Sequence, residues 1–227
     1  MIKSNDEKLL DNYLSKYDIT SCFSTDMRPY MELLLFKRGE YICKIDEPID
    51  VLYFFVEGKA KVYTTLGNGK SLLLCFYKPM MVIGDAEILV SNTASTNLQV
   101  IEDTYCISIN FKCIRQFAAD DSKFLRYMNS SLGSKLLRLS KYSSINILYP
   151  LENRLASYLL VILSAQGSDL QDNHNLTEIA ELLGTSYRHL LRTLNKLTSL
   201  GAIRKNQHFY EIDDYKLLET MASDLYD

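Results

Sequence analysis

Between Leu176 and Gly201 the chain reads LTEIAELLGTSYRHLLRTLNKLTSLG. The groups there able to do chemistry are cations and hydrogen-bond donors. Arg188, Arg192 and Lys196 recur every four residues, and Thr185, Ser186, Tyr187 and His189 cluster just before or among them. A spacing of four places the cations along one face of a helix. From Thr185 to Tyr210 there are five Lys or Arg (Arg188, Arg192, Lys196, Arg204, Lys205) and no Asp or Glu, with His189 and His208 able to add charge. The whole chain carries a net charge of −3, so this basic surface is local. Local cations on an otherwise acidic protein suit a polyanion. Arginine can pair bidentately with guanine edges in a major groove, whereas lysine and hydroxyls tend towards phosphate. Arg188 is therefore the first candidate for base contact, followed by Tyr187, His189 and Arg192. Ser186, Lys196, Arg204 and Lys205 are candidates for the backbone, and Thr185 in the turn completes the set. A plain solvated basic face is the competing reading.

The elements that must position these groups favour nucleic acid. Asn175 or Thr177 is placed to cap a helix carrying Ile179, Ala180, Leu182 and Leu183. Gly184-Thr185-Ser186 makes a short turn. Ser186 is then a natural N-cap for a helix over Tyr187–Ser199, whose buried side is Leu190, Leu191, Leu194 and Leu197. Two helices about a short glycine-bearing turn form a helix-turn-helix. AIRKNQHFYEI after Gly201 reads as two short strands about a polar turn, a wing that would carry Arg204 and Lys205.

Upstream, LENRLASYLLVILSAQG predicts an amphipathic helix ending near Gly167, followed by a polar loop at Asp169–Asn175. Tyr149-Pro150 marks a hinge, because proline pushes its predecessor out of the helical region. Before it, Phe124, Leu125, Met128, Leu132, Leu136, Leu139, Tyr142 and Ile145 form one apolar stripe over nearly thirty residues. Such a stripe needs a partner surface; its own copy in a second chain is the simplest, and a helix folded back on its own barrel is the competing reading. Gly133 weakens that helix or lets two backbones approach. From Leu33 to about Ser108, short runs of Leu, Ile, Val, Tyr and Phe alternate with turn signals, of which Gly67-Asn68-Gly69 is a tight hairpin. These predict an all-β barrel or sandwich. Residues 1 to about 30 read as loosely helical, interrupted at Met27-Arg28-Pro29.

With 227 residues, 47% of them hydrophobic, the chain is long enough for two globular domains. The expected division is a barrel over 1–120, a long helix over 121–147 and a winged helix-turn-helix over 148–227. No run approaches the ~18 apolar residues of a membrane helix. The start, MIKSNDEKLLDNYL, has acids and no apolar core, so no secretory signal is expected and the cytoplasm is the expected compartment. Cys22, Cys43, Cys75, Cys106 and Cys113 form no C-x-x-C pair and read as small buried hydrophobes. No metal or cofactor is expected. An enzyme of cupin type would want a metal held by histidines, yet His174, His189 and His208 all lie outside the barrel region. No P-loop, dinucleotide fingerprint or nucleophile elbow is present. A sensing or scaffold module using the C-terminal hairpin for protein contacts is the remaining alternative.

Barrel, long helix, proline hinge and winged helix-turn-helix, in this order, resemble the cyclic-AMP receptor protein/FNR superfamily of bacterial transcription regulators. The resemblance rests on Lys37-Arg38-Gly39-Glu40-Tyr41-Ile42, on Val51 to Val62 with its Glu57-Gly58-Lys59 hairpin, and on Ile83-Gly84-Asp85, which is similar to the start of the family's phosphate-binding cassette. Tyr187-Arg188-His189 looks like the YeiL-like branch. The resemblance implies an α+β protein: a cyclic-nucleotide-binding-like barrel (a double-stranded β-helix), a long dimerisation helix and a C-terminal winged helix-turn-helix. It implies a homodimer on a palindromic operator in double-stranded DNA, and RNA polymerase as a partner if the protein is an activator. It places an effector pocket at Gly84, Asp85, Ser95 and Thr96. Cyclic-nucleotide binders carry an arginine late in the cassette, and this sequence has Ser95-Thr96 there, with no Lys or Arg between Lys78 and Lys112. Cyclic AMP is therefore not the expected effector. FNR-type clusters need several N-terminal cysteines and only Cys22 lies there; haem ligation of the CooA kind lacks a barrel histidine.

Overall fold

A computed structural model describes residues 1–166, 176–206, 209–223 and 225. The polar loop 169–175, with candidate cap Asn175 and His174, lies outside the described residues, as does His208. The element order is β1 (Ile2–Ser4), α1 (Glu7–Lys16), β2 (Met31–Phe36), β3 (Tyr41–Cys43), β4 (Val51–Glu57), β5 (Ala60–Thr65), β6 (Ser71–Tyr77), β7 (Val82–Ile83), α2 (Glu87–Val90), β8 (Asn97–Val100), β9 (Thr104–Asn110), α3 (Phe111–Phe117), α4 (Ser122–Leu148), α5 (Leu151–Gln166), α6 (Leu176–Leu182), α7 (Tyr187–Ser199), β10 (Ile203–Asn206), β11 (Phe209–Ile212) and α8 (Tyr215–Ala222). The start of the chain departs from the helical expectation. Ile2–Ser4 pairs with Leu33–Leu35 as an antiparallel strand, and the only α-helix before residue 30 is α1, followed by short 3₁₀ turns at Ile19–Cys22 and Arg28–Tyr30.

The chain packs as two compact units, Met1–Val62 with Tyr77–Arg138, and Tyr63–Phe76 with Leu139–Asp227. The strands form a five-stranded sheet in the order β1-β2-β9-β4-β7 and a four-stranded one in the order β3-β8-β5-β6. β4 runs antiparallel to both β9 and β7. Its residues Leu52 to Val56 are all buried, which explains why the sequence there is continuously apolar rather than alternating. Phe36 and Tyr77 meet Tyr53 and Phe55 edge-on, while Phe54 contacts the rings of Phe23 and Tyr127.

α4 does not present one apolar stripe. Phe124, Met128, Tyr142 and Ile145 are buried within the monomer, and Phe124 stacks on Phe23 with ring centroids 5.1 Å apart. Leu125, Leu136 and Leu139 are exposed, Leu136 at 69%. Periodicity alone merged two neighbouring faces. Leu125, Leu132, Leu136 and Leu139 follow steps of seven, four and three, the spacing of a coiled-coil seam.

In the second unit, α5 buries Leu155, Tyr158, Leu159 and Ile162 and packs along α8, where Asn153 Nδ2 donates to the Met221 carbonyl at 2.8 Å. The Tyr63–Phe76 segment belongs to this unit: Asn146 Nδ2 donates to the Leu73 carbonyl at 3.4 Å, and the Phe76 and Tyr158 rings lie 6.0 Å apart. Among the described residues no helix is long and apolar enough to cross a membrane.

Candidate nucleic-acid interface

The turn between α6 and α7 is built by backbone geometry. Gly184 takes φ +61°, a conformation that favours glycine, and its amide donates to the Glu181 carbonyl at 2.8 Å. Thr185 N–H donates to the Ala180 carbonyl at 2.8 Å, and Arg154 Nη1 reaches from α5 to the Leu183 carbonyl at 2.7 Å. Carbonyls at the C-terminal end of α6 are thereby satisfied. Ser186 caps α7, its hydroxyl accepting from His189 N–H at 3.2 Å. Thr177 lies inside the first turn of α6 rather than at its cap. Leu190, Leu194 and Leu197 are buried with Ile179, Ala180, Leu182 and Leu183, and Leu191 is half-buried.

This packing turns one face of α7 outwards. Tyr187 is 48% exposed, and Arg188, His189, Arg192, Asn195, Lys196 and Ser199 are exposed with it. At about 100° per residue, Arg188, Arg192, Asn195 and Ser199 fall within one arc of roughly 60°. His189 Nδ1 lies 3.2 Å from Thr185 Oγ1, an interaction that orients the ring. No acid lies on α7.

The five cations are not equivalent. Lys196 Nζ sits 2.6 Å from Glu152 Oε1 on α5. Arg204 contacts Glu211 at 3.0 Å and Asp213 at 3.8 Å, and the Glu211 hydrogen bond holds its guanidinium above the ordinary value. Arg204 and Glu211 are direct cross-strand partners in the antiparallel β10–β11 wing. Lys205, on the other face of the wing, has its Nζ 5.9 Å from the Tyr210 ring centroid. Arg188, Arg192 and Lys205 have no acidic partner among the described residues. Two like charges a turn apart repel mildly in the free helix, and an anion laid across both removes that repulsion. The sequence did not disclose Glu152, Glu211 and Asp213 as neutralising partners; the one signal was Glu211, placed opposite Arg204 once the wing register is known.

Of the residues assigned to an effector pocket, Gly84 and Asp85 precede α2 and Ser95 and Thr96 follow it. Gly84 has φ +90°, and a Cβ there would lie 2.6 Å from the Val51 carbonyl oxygen, so the position admits only glycine. Asp85 is fully buried. Its carboxylate accepts from Ser131 Oγ at 2.9 Å and from Ala86 N–H at 3.0 Å, and is ion-paired with Lys135 of α4. Ser95 Oγ donates to Glu87 Oε1 of α2 at 2.9 Å, and the Thr96 carbonyl lies 3.6 Å from Cys43 Sγ. The Lys135 and Ser131 partners of Asp85 lie some fifty residues away and were missed; an aspartate in the apolar run Val82–Ala86 was the signal that a cation must come from elsewhere.

The cysteines are free thiols; Cys22, Cys75 and Cys106 are buried as expected, whereas Cys43 and Cys113 are only half-buried. Burial pushes Cys22 up to about 11 and Cys43 up to about 12, and raises Cys106 further. No cluster of metal-ligating side chains occurs among the described residues.

Residues 33–121 match the cyclic nucleotide-binding domain family, and residues 153–221 match the Crp-like helix-turn-helix domain family. The regulatory protein YeiL of Escherichia coli O157:H7 is 31% identical over 93% of this chain and 95% of its own length. A CRP-like cAMP-activated global transcriptional regulator of Mycobacterium tuberculosis is 25% identical, covering 82% of this chain and 86% of its own. A crystal structure of a Crp/Fnr-family protein from Eubacterium rectale superposes with a TM-score of 0.78 at 19% identity, over 94% of this chain and 100% of that one.

Proposed function

Since this chain belongs to the Crp/Fnr family of transcription regulators, with a Crp-type helix-turn-helix for DNA, we propose that it acts as a cytoplasmic, non-enzymatic homodimer reading a palindromic operator. The observation that carries the reading is the pair Arg188 and Arg192, one turn apart on the outer face of α7, without an acid among the described residues. Arg188 is assigned to a base edge. Tyr187, His189 and Arg192 flank it in the groove, while Thr185, Ser186, Lys196, Arg204 and Lys205 serve the backbone. The Leu125–Leu139 seam supports pairing of two α4 helices, which would set two recognition helices in major grooves about 34 Å apart. The barrel (1–120) would act on the DNA-binding segment (148–227) along α4 (121–147 and its end) and the Tyr149-Pro150 step, by shifting two populations. Where the operator lies upstream of a promoter, RNA polymerase is the further partner.

Two features disfavour cyclic AMP as effector. The cassette lacks any Lys or Arg between Lys78 and Lys112, and the Ser95 hydroxyl is held by the Glu87 carboxylate, a poor neighbour for a phosphate. The test is selection of random duplex DNA by the purified protein across a salt series, with Arg188→Ala in parallel. Enrichment of a two-fold-symmetric site, lost in the variant, is the expected result. Bound DNA that shows no two-fold-symmetric site, or a site retained unchanged in the variant, contradicts the reading.

A further inference from the structure

Within the first unit, a cleft of about 210 Å³ opens between α4 and the segment Met80–Val82. Its helix wall carries Ser130, Ser134 and Arg138, a polar ladder at four-residue intervals, together with Tyr127. Its other wall is Met80, Met81 and Val82. The volume is below the roughly 300–1,000 Å³ typical of drug-sized ligands, so an occupant is small.

The charge balance of the cleft is specific. Lys135 also lines it, but its charge is matched by the buried Asp85. Arg138 has no acidic partner among the described residues, and its Nη1 rests 3.5 Å from Met81 Sδ. A thioether is a weak acceptor, so the guanidinium keeps most of its hydrogen-bonding capacity. One unmatched positive charge remains. A guanidinium fork fits a carboxylate with two parallel hydrogen bonds, and the hydroxyls of Ser130 and Ser134 lie along the same helix face. Thioether and ring surfaces alongside suit a short apolar chain. At about 100° per residue, Ser134 points roughly 160° away from Leu132 and Leu136, so helix pairing through the leucines leaves the cleft open. It uses none of Gly84, Asp85, Ser95 or Thr96.

We propose that this cleft binds a small monocarboxylic acid, its carboxylate held by Arg138 with Ser130 and Ser134 and its carbon chain against Met80 and Met81. The test uses the full chain labelled at methionine methyl groups with ¹³C, titrated with sodium butyrate at constant ionic strength. Saturable shifts of the Met80 and Met81 methyl resonances are expected. In Arg138→Gln the midpoint should rise at least tenfold, while the methyls of Met27, Met31 and Met128, buried elsewhere in the same unit, hold their positions and report an intact fold. In Ser134→Ala a smaller weakening is expected. A response that never saturates, an equal response to n-butanol, or an unchanged midpoint in Arg138→Gln overturns the proposal. An equal midpoint for inorganic phosphate overturns the assignment to an organic acid. No DNA enters the measurement, so its outcome stands apart from that of the DNA-binding reading.

Discussion

Lys196 offers the sharpest quantitative test, because two anions compete for it. Its ion pair with Glu152 is partly exposed, with side-chain exposures of 52% and 35%. Pairs of that kind contribute about 0.5 kcal/mol. A phosphate contact releases about 0.9 counterion, which at 0.1 M salt corresponds to about 0.9 log units, or roughly 1.2 kcal/mol relative to 1 M. DNA should therefore win Lys196 from Glu152, with a net gain of only about 0.7 kcal/mol after the lost pair is subtracted. Lys196→Ala should weaken binding about threefold at 0.1 M salt and lower the slope of log affinity against log salt by about 0.9. Arg192, with no acid to leave, should show the full roughly eightfold loss or more on change to Ala. Glu152→Gln should tighten binding about twofold without altering the slope, since the lysine no longer has a competitor. Fluorescence anisotropy with a labelled duplex carrying the selected site, from 50 to 400 mM salt, reads all three. The reasoning fails if Lys196→Ala is as damaging as Arg192→Ala, or if Glu152→Gln weakens binding.

Four other outcomes follow from the geometry. Lys135→Met strands the buried Asp85 carboxylate and should destabilise the first unit by about 3–5 kcal/mol, whereas Asp85→Asn combined with Lys135→Met should recover part of that loss; urea unfolding followed by circular dichroism measures both, since the chain has no tryptophan. Gly84→Ala, at φ +90° with its Cβ against the Val51 carbonyl, should lower stability by about 2 kcal/mol or more, while Gly133→Ala, whose Cβ meets open space in the monomer, should raise it by about 0.5–1 kcal/mol; a calorimetric melt separates the signs. Leu136→Glu places a charge in the exposed seam and should convert a dimer to monomers in sedimentation velocity, with loss of operator affinity; an unchanged sedimentation coefficient would place the dimer contact elsewhere. With Cys22 raised to about 11, thiolate is scarce below that value and grows as pH rises towards it, so a thiol reagent at pH 8 should leave Cys22 unmodified over minutes in the native protein, and rapid labelling contradicts its burial.

The parts of this protein legible in sequence are those fixed by neighbours along the chain. α7 begins and ends where Ser186 and the leucine spacing place it, because a cap and a 3.6-residue period are local signals. The wing is legible for the same reason: two short strands about one turn. What was hidden depends on partners distant in sequence. The seam on α4 was overdrawn because Phe124 and Leu125, adjacent in sequence, both fit an apolar period, and only the presence of Phe23 decides which one the monomer buries. The strand Ile2–Ser4 has no period to detect, being three residues long and stabilised by β2 alone.

Charge shows the same division, and here it changes the functional argument. Along the chain, five cations without an intervening acid make a uniform basic patch. In three dimensions Glu152, forty-four residues before Lys196, and Glu211, across the wing from Arg204, neutralise two of them. The three left without an acid among the described residues, Arg188, Arg192 and Lys205, comprise two positions at the exposed start of α7 and one on the wing. Such a distribution suits a protein that must discriminate. A fully cationic surface would hold any duplex through phosphates, whereas matching the outlying cations to acids lowers that sequence-independent term and leaves a larger share of the affinity to Arg188 at the base edges. Restoring the charge with Glu152→Gln should therefore strengthen binding to unrelated duplexes more than to the operator, narrowing the ratio between them. A widened ratio would show that Glu152 acts on operator recognition itself.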